Sequence, residues 1–323
     1  MHDNKPSSPL TPDWGRNLIE ELARESLKER RARRRWRIFF GLLFFGLVAF
    51  SVVQCSGGGT GTGTGKGVPY VASIDIKGVI ADEPEAVSAD KVIRAMRRAF
   101  DDPKSLAVIL RVNSPGGSPV QAGIIVDEMR RLRRQNPEKA LYAVIEEMGL
   151  SGGYYIAAAA DRIYVDKASL VGSIGVIINN FGVQELFQKL GIENRTMTAG
   201  KNKAFLSPFE SLNPEQKAHV QAMLDEIHAQ FIAVVKEGRG QRLKEIPDMF
   251  SGLIWTGERS VELGLADGLG TVDSVARDVV DTEAVEDFTE YSPFELWMRQ
   301  VGAAVSAAFF GQMQMQGERP VLR

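Results

Sequence analysis

Residues 106–135 read LAVILRVNSPGGSPVQAGIIVDEMRRLRRQ, and residues 141–161 read LYAVIEEMGLSGGYYIAAAAD. Each begins as a short apolar run, Leu106–Val112 and Leu141–Ile145, of the kind that forms a strand buried on both faces. Each then passes through a glycine-rich turn into a helical pattern. The first helix, Pro119–Gln135, carries Ile124, Ile125, Met129 and Leu132 on one face; the second, Gly152–Asp161, is built of small residues. Outward from this pair, Tyr70–Ile76 alternates like a strand and Ala86–Asp102 reads as a helix. Ile163–Val165 and Ser173–Ile177 read as short strands. Asn213–Glu237 is a long helix with its stripe at Val220, Met223, Leu224, Ile227, Phe231 and Val235. Repeated strand–helix–strand units require largely parallel pairing with helices packed outside the sheet, so the fold class is α/β.

The two turns are where chemistry can sit. Asn113-Ser114-Pro115-Gly116-Gly117-Ser118 points backbone N–H groups above a helix start, and its glycines let a ligand approach the backbone. It lacks the Gly-Lys-Ser/Thr ending of a phosphate-binding P-loop. Gly149-Leu150-Ser151-Gly152-Gly153 matches the GxSxG pattern of a nucleophile elbow, which exposes a serine at a strand-to-helix turn. There the N–H of Gly152 can help hold a developing oxyanion. A serine that merely caps its helix is the plainer alternative.

A serine hydroxyl needs a base. The downstream histidines, His219 and His228, both fall inside the long helix, whereas a triad histidine usually sits on a loop. Lysine is the natural substitute. To act as base a lysine must be neutral, and moving it from ~10.4 to ~7 takes ~4.6 kcal/mol, within reach of burial in an apolar pocket. The stretch 198–208 (TAGKNKAFLSP) offers Lys201 and Lys203; Lys203 leads directly into Ala-Phe-Leu, while Lys201 has polar neighbours.

The N-terminal quarter is a different kind of chain. Residues 1–37 carry ten Lys/Arg against six Asp/Glu, leaving 29 against 35 for the rest of a chain whose totals are 39 and 41. That balance gives no support to global nucleic-acid binding. An Arg block, residues 28–37, precedes 16 uncharged residues, Ile38–Val53. As a helix that run spans ~24 Å, short of the ~30 Å hydrocarbon core unless Trp36 and Gln54 are added and Arg37 snorkels. The positive-inside rule then puts residues 1–37 in the cytoplasm and the remainder outside. Residues 56–67, SGGGTGTGTGKG, form a flexible tether with a span of ~19 Å. The expected organisation is a basic cytoplasmic segment (1–37), an anchor (38–54), a Gly-rich linker (55–67), a catalytic domain (68–285) and a C-terminal tail (286–323). Cys55 is the one cysteine, so neither an intramolecular disulfide nor a multi-cysteine zinc site is available, and no metal or other cofactor is suggested.

Three segments together resemble the signal peptide peptidase A family: NSPGGS (113–118), SGGYYIAAAADRIYVDKASLVGSIGVI (151–177) and AGKNKAFLSPF (199–209). The resemblance covers about residues 68–275. It implies Ser151 as nucleophile, Lys203 as general base, Ser173 as the residue positioning that lysine, and Gly117 and Gly152 as the oxyanion hole. It also implies a Clp protease/crotonase-like spiral of ββα units, assembly into rings such as homo-octamers with serine and lysine from neighbouring subunits, and hydrophobic peptides such as cleaved signal peptides as substrates. An inner-membrane, single-pass enzyme with its catalytic domain on the periplasmic side fits that reading. Leu150, where the family has a small residue, and Lys201 are departures. Three other readings stay open: an esterase of α/β-hydrolase type using a histidine, a crotonase-like acyl-CoA enzyme, and a non-catalytic scaffold that binds hydrophobic peptides.

Overall fold

Among the described residues eight strands make one sheet, and its centre is the pair of apolar runs Leu106–Val112 and Leu141–Ile145. The computed structural model describes residues 36, 38–42, 46, 68–292 and 295–297. The chain divides into two compact units, Met1–Gly61 and Thr62–Arg323. In the first, the described residues between 36 and 46 are helical. Most of the expected anchor, with the basic segment, the linker and most of the tail, lies outside the described residues. Among those described, no helix is long and apolar enough to cross a membrane.

In the second unit, β1 (Tyr70–Lys77), β2 (Ser105–Ser114) and β3 (Ala140–Leu150) lie side by side and parallel. β3 then forks. Tyr142–Ile145 pair with β4 (Arg162–Val165), and Met148–Leu150 pair with β5 (Leu170–Gly172), both parallel. β6 (Ile254–Thr256) closes one side as an antiparallel partner of β5. β7 (Gly268–Leu269) pairs with β4, and β8 (Val285–Asp287) covers β1. The expectation of a mainly parallel α/β sheet holds.

The helices lie mainly on one face of this sheet. α1 (Ala89–Asp101), α2 (Pro119–Gln135), α3 (Gly152–Ala158) and α5 (Pro214–Arg239) share a core with the inward residues Ile74, Ile76, Leu110, Val112, Leu141 and Ile145, all essentially buried. Burying one such side chain stabilises the fold by about 1.5–3 kcal/mol. The opposite face is covered more thinly, by α7 (Val272–Asp278) over Val71, Ile109, Val144 and Tyr164. α4 (Gln184–Lys189) and α6 (Gly257–Glu262) are short connectors.

One expected strand is displaced. Ser173–Ile177 has no strand geometry; the strand is Leu170–Gly172, three residues earlier. Gly172 (φ 110°) and Ser173 (φ 51°) both take positive φ, which ends the extended chain there.

Candidate active site

At the C-terminal ends of β2 and β3 the two glycine turns touch. The β2–β3 register shifts between Val112 and Ser114, and the chain then turns through Gly116 (φ 101°) and Gly117 (φ 147°), conformations that L side chains rarely adopt. A Cβ on Gly116 would stand 2.7 Å from the Ser151 Cβ and 2.8 Å from the Gly152 nitrogen, so only glycine allows this approach. Ile80 clamps the turn from outside. Its N–H donates to the Gly116 carbonyl (2.9 Å), and its carbonyl accepts from the Ser118 N–H (2.7 Å). Among the described residues the Gly117 N–H has no acceptor.

Ser151 joins β3 to α3 with φ 49° and ψ −121°, a strained backbone for a non-glycine residue. Its N–H donates to the Gly172 carbonyl (2.9 Å), and its carbonyl accepts from Tyr155 (2.9 Å). Although it stands at the N-cap position, its side chain makes no capping hydrogen bond. The capping alternative therefore has no support, and the hydroxyl is left for other work. A Cβ on Gly152 would lie 3.3 Å from the Gly117 nitrogen, so the Gly117 amide stands against the residue that follows the serine. Behind them Tyr154 is fully buried and donates to the Leu265 carbonyl (2.8 Å), and burial pushes its phenol well above the usual range. That bond ties α3 to the segment after α6.

A cavity of about 140 Å³ opens beside Ser151. Gly117, Ser151 and Gly152 line it, with Ala122, Tyr155, Val176, Ile177, Ile227 and Phe231 as apolar walls. Among the described residues no charged side chain is part of its lining. The wall residues of α5, Ile227 and Phe231, were legible as that helix's apolar stripe; that the stripe faces the serine was not.

The remaining candidates are placed differently. Ser173 follows Gly172, the residue that holds the Ser151 N–H, and its own N–H donates to Leu253 (2.8 Å). It is half-buried, one residue from the nucleophile's support. Lys203 is exposed on a turn whose N–H donates to the Gly200 carbonyl (3.0 Å), and it does not line the cavity. Lys201, also exposed, pairs with Glu215 at 3.8 Å. His219 is exposed, and the His228 Nε2 is taken up at 3.0 Å by the Ile174 carbonyl; neither lines the cavity. Among the described residues no three His, Cys, Asp or Glu side chains come together as a metal site.

Residues 133–286 match the model of peptidase family S49. Proteins named Na(+)/H(+) antiporter NhaA from Brucella abortus and Brucella melitensis are each 45% identical over 182 residues, 56% of this chain. The match spans only 25% of their own length, about a quarter, and carries no inference about transport. A putative protease of Synechocystis is 29% identical over 227 residues, covering 67% of this chain and 79% of the relative. A putative signal peptide peptidase SppA of Enterococcus faecium is 28% identical over 225 residues, 66% of this chain and 65% of the relative. The mixed, largely parallel sheet fits a Clp protease-like fold. The chain thus carries a peptidase family S49 match over residues 133–286 and is similar to signal peptide peptidase A proteins, with a serine freed at a strand-to-helix elbow, beside two unpaired amides and an apolar cavity.

Proposed function

We propose that this chain is a membrane-anchored endopeptidase that cleaves hydrophobic peptides, such as spent signal peptides, through an acyl-enzyme on Ser151 with Lys203 as general base. The observation that carries the reading is the uncapped Ser151 hydroxyl beside the Gly117 and Gly152 amides. In the reaction Ser151 Oγ attacks the scissile carbonyl while Lys203 takes its proton. Gly117 and Gly152 hold the oxyanion, and the lysine returns the proton to the leaving amine. Water then repeats the sequence to release the acyl group. The uncharged cavity favours an apolar side chain on the acyl side of the bond.

Lys203 lies outside that cavity, and the reading meets this by taking the lysine from a neighbouring copy in a homo-oligomeric ring, such as an octamer of ββα-spiral subunits. The segment that carries it supports such contacts, since Phe181 (78% exposed), Leu190 (62%) and Met197 (95%) offer apolar surface that a single chain leaves bare. Anchorage through residues 38–54, with the catalytic domain on the periplasmic side, rests on the charge asymmetry of the sequence. The histidine-dependent esterase is the weaker alternative, because the half-buried His228 already bonds Ile174.

The test is hydrolysis of an apolar fluorogenic peptide by the full chain in detergent. Ser151→Ala and Lys203→Ala should each lose at least ~1,000-fold in kcat while staying folded and assembled, and a His219/His228 double variant should keep activity. Survival of Lys203→Ala together with loss in the histidine variant overturns the dyad.

A further inference from the structure

Ser114 belongs to the first glycine turn, yet the proposed reaction gives it no task. It is fully buried, which a polar side chain tolerates only when its hydrogen bonds are made. Both are. The Ser114 hydroxyl donates to the Gly78 carbonyl at 2.6 Å, so its proton is committed there, and an oxygen lone pair accepts the Gly116 N–H at 3.1 Å. Gly78, just past β1 with φ 93°, in turn donates its own N–H to the Asn113 carbonyl (2.9 Å). On its other side Ser114 packs against the elbow: a Cβ on Gly153 would lie 3.1 Å from the Ser114 Cβ. In register, Ser114 stands opposite Gly149, two residues before the nucleophile. One small side chain thus touches the ends of β1, β2 and β3 and both glycine turns.

The amides of the first turn show what this accomplishes. The Gly116 N–H goes to Ser114, the Gly116 carbonyl to Ile80, and the Ser118 N–H to Ile80. Between Gly116 and Ser118 the Gly117 N–H is the one left over. With two successive glycines the turn has little steric reason to hold one orientation. The hydroxyl of Ser114 supplies one on the N-terminal side of Gly116, because rotating the Pro115–Gly116 peptide would strand the buried Gly116 N–H and cost the desolvation penalty of an unmade hydrogen bond, while Ile80 holds the following peptide through the Gly116 carbonyl.

We infer that Ser114 is a positioning residue of the oxyanion hole: by accepting the Gly116 N–H while anchored to Gly78, it fixes the Pro115–Gly116 peptide, and with Ile80 holding the Gly116 carbonyl of the next peptide the two together set the dihedral angles of Gly116 and so aim the Gly117 N–H at the substrate carbonyl. It touches no reacting atom and acts through Gly116. The inference rests on Ser151 being the nucleophile and Gly117 an oxyanion donor, and it adds the group that keeps that donor aligned before substrate arrives.

The experiment compares wild type, Ser114→Ala, Ser114→Cys and Ser151→Ala as full chains in detergent. It measures kcat and KM on an apolar fluorogenic peptide, together with inhibition by a peptide aldehyde and its matching alcohol. The aldehyde forms a hemiacetal whose oxygen occupies the oxyanion site; the alcohol only fills the cavity. Losing an oxyanion donor outright costs ~100–1,000-fold in kcat, so misaligning one should cost ~10–100-fold. Ser114→Ala is expected to lose that much in kcat and in aldehyde affinity, with KM and alcohol affinity within about 2-fold of wild type. Ser114→Cys, with similar volume but a weak acceptor, should fall between the two. A residue that only stabilises the fold would lower the melting temperature without this split. If Ser151→Ala is dead while Ser114→Ala and Ser114→Cys keep wild-type kcat and aldehyde affinity, the inference fails alone. Wild-type activity in Ser151→Ala brings down the nucleophile reading, and the inference with it.

Discussion

The backbone of Ser151 stores strain that its neighbours must hold in place. A non-glycine residue in a sparsely populated region costs about 1–3 kcal/mol, and here the Gly172 carbonyl, the Tyr155 N–H and the packed Gly116 resist its relaxation. Two glycine substitutions of opposite sign test how local this constraint is. Gly116→Ala introduces a Cβ 2.7 Å from the Ser151 Cβ at φ 101°, and should cost about 2–4 kcal/mol and nearly all activity. Gly123→Ala, in the middle of α2 with nothing within 4 Å of the new methyl, should raise stability by about 0.5–1 kcal/mol with kcat unchanged. Urea unfolding monitored by circular dichroism, beside peptide hydrolysis, reads both. At this scale the sequence shows which turns matter, because glycine and serine between a strand and a helix leave a recognisable pattern. It does not show that Gly116 is closed to any side chain while Gly123 is open; that depends on contacts made 35 residues away.

α1 and α2 are joined by a charge hidden between them. Glu128, nearly buried, is held by Arg131 on its own helix (2.7 Å) and by Arg97 across on α1 (2.7 Å). Arg131, then Arg97, holds its carboxyl down at about 2, against an ordinary value near 4.3. A depressed carboxylate stabilises the fold fully above the unfolded value, and the contribution is lost as the pH falls toward the folded one. Glu128→Gln should therefore lower stability by about 1–2 kcal/mol at pH 7, and the deficit should shrink between about pH 5 and pH 2. A deficit that stays constant over that range would show that packing, not charge, joins the helices. Element boundaries were readable wherever periodicity and caps agreed: α2 runs Pro119–Gln135 as its pattern requires, with the Ser118 hydroxyl accepting the Gln121 N–H. The apolar run Leu141–Ile145 falls short of β3, because Glu146 and Glu147 look like a strand end in the sequence. Within the sheet Glu146 meets Arg111 (2.9 Å) and Lys77 (3.2 Å), so the strand continues through paired charge as far as Leu150.

At the scale of the whole molecule, the sheet and its helices form a self-contained core, but the segment from Ile177 to Leu212 does not share in it. α4 buries none of its residues, and the apolar side chains around it face solvent in a single chain. Periodicity reports which residues are apolar, not which surface covers them, so the sequence marked this stretch only through its resemblance and its lysines. If a neighbouring copy supplies Lys203 to Ser151, the interface is heterologous and each site draws on two chains. Mixing then separates two arrangements that single variants cannot. Ser151→Ala subunits keep the lysine, and Lys203→Ala subunits keep the serine. Co-assembled in equal amounts after dissociation, about one site in four pairs an intact serine with an intact lysine, since the two donors are drawn independently around a ring. Activity should return to about a quarter of wild type, and a fluorophosphonate, which reacts with a serine activated by its base, should label about a quarter of the subunits rather than the half that keep the serine. If both groups belong to one chain, every subunit in the mixture is missing one of them and activity stays at the level of the single variants. In that case the segment must fold over its own Ser151, and Lys203 has to move into the cavity when substrate binds.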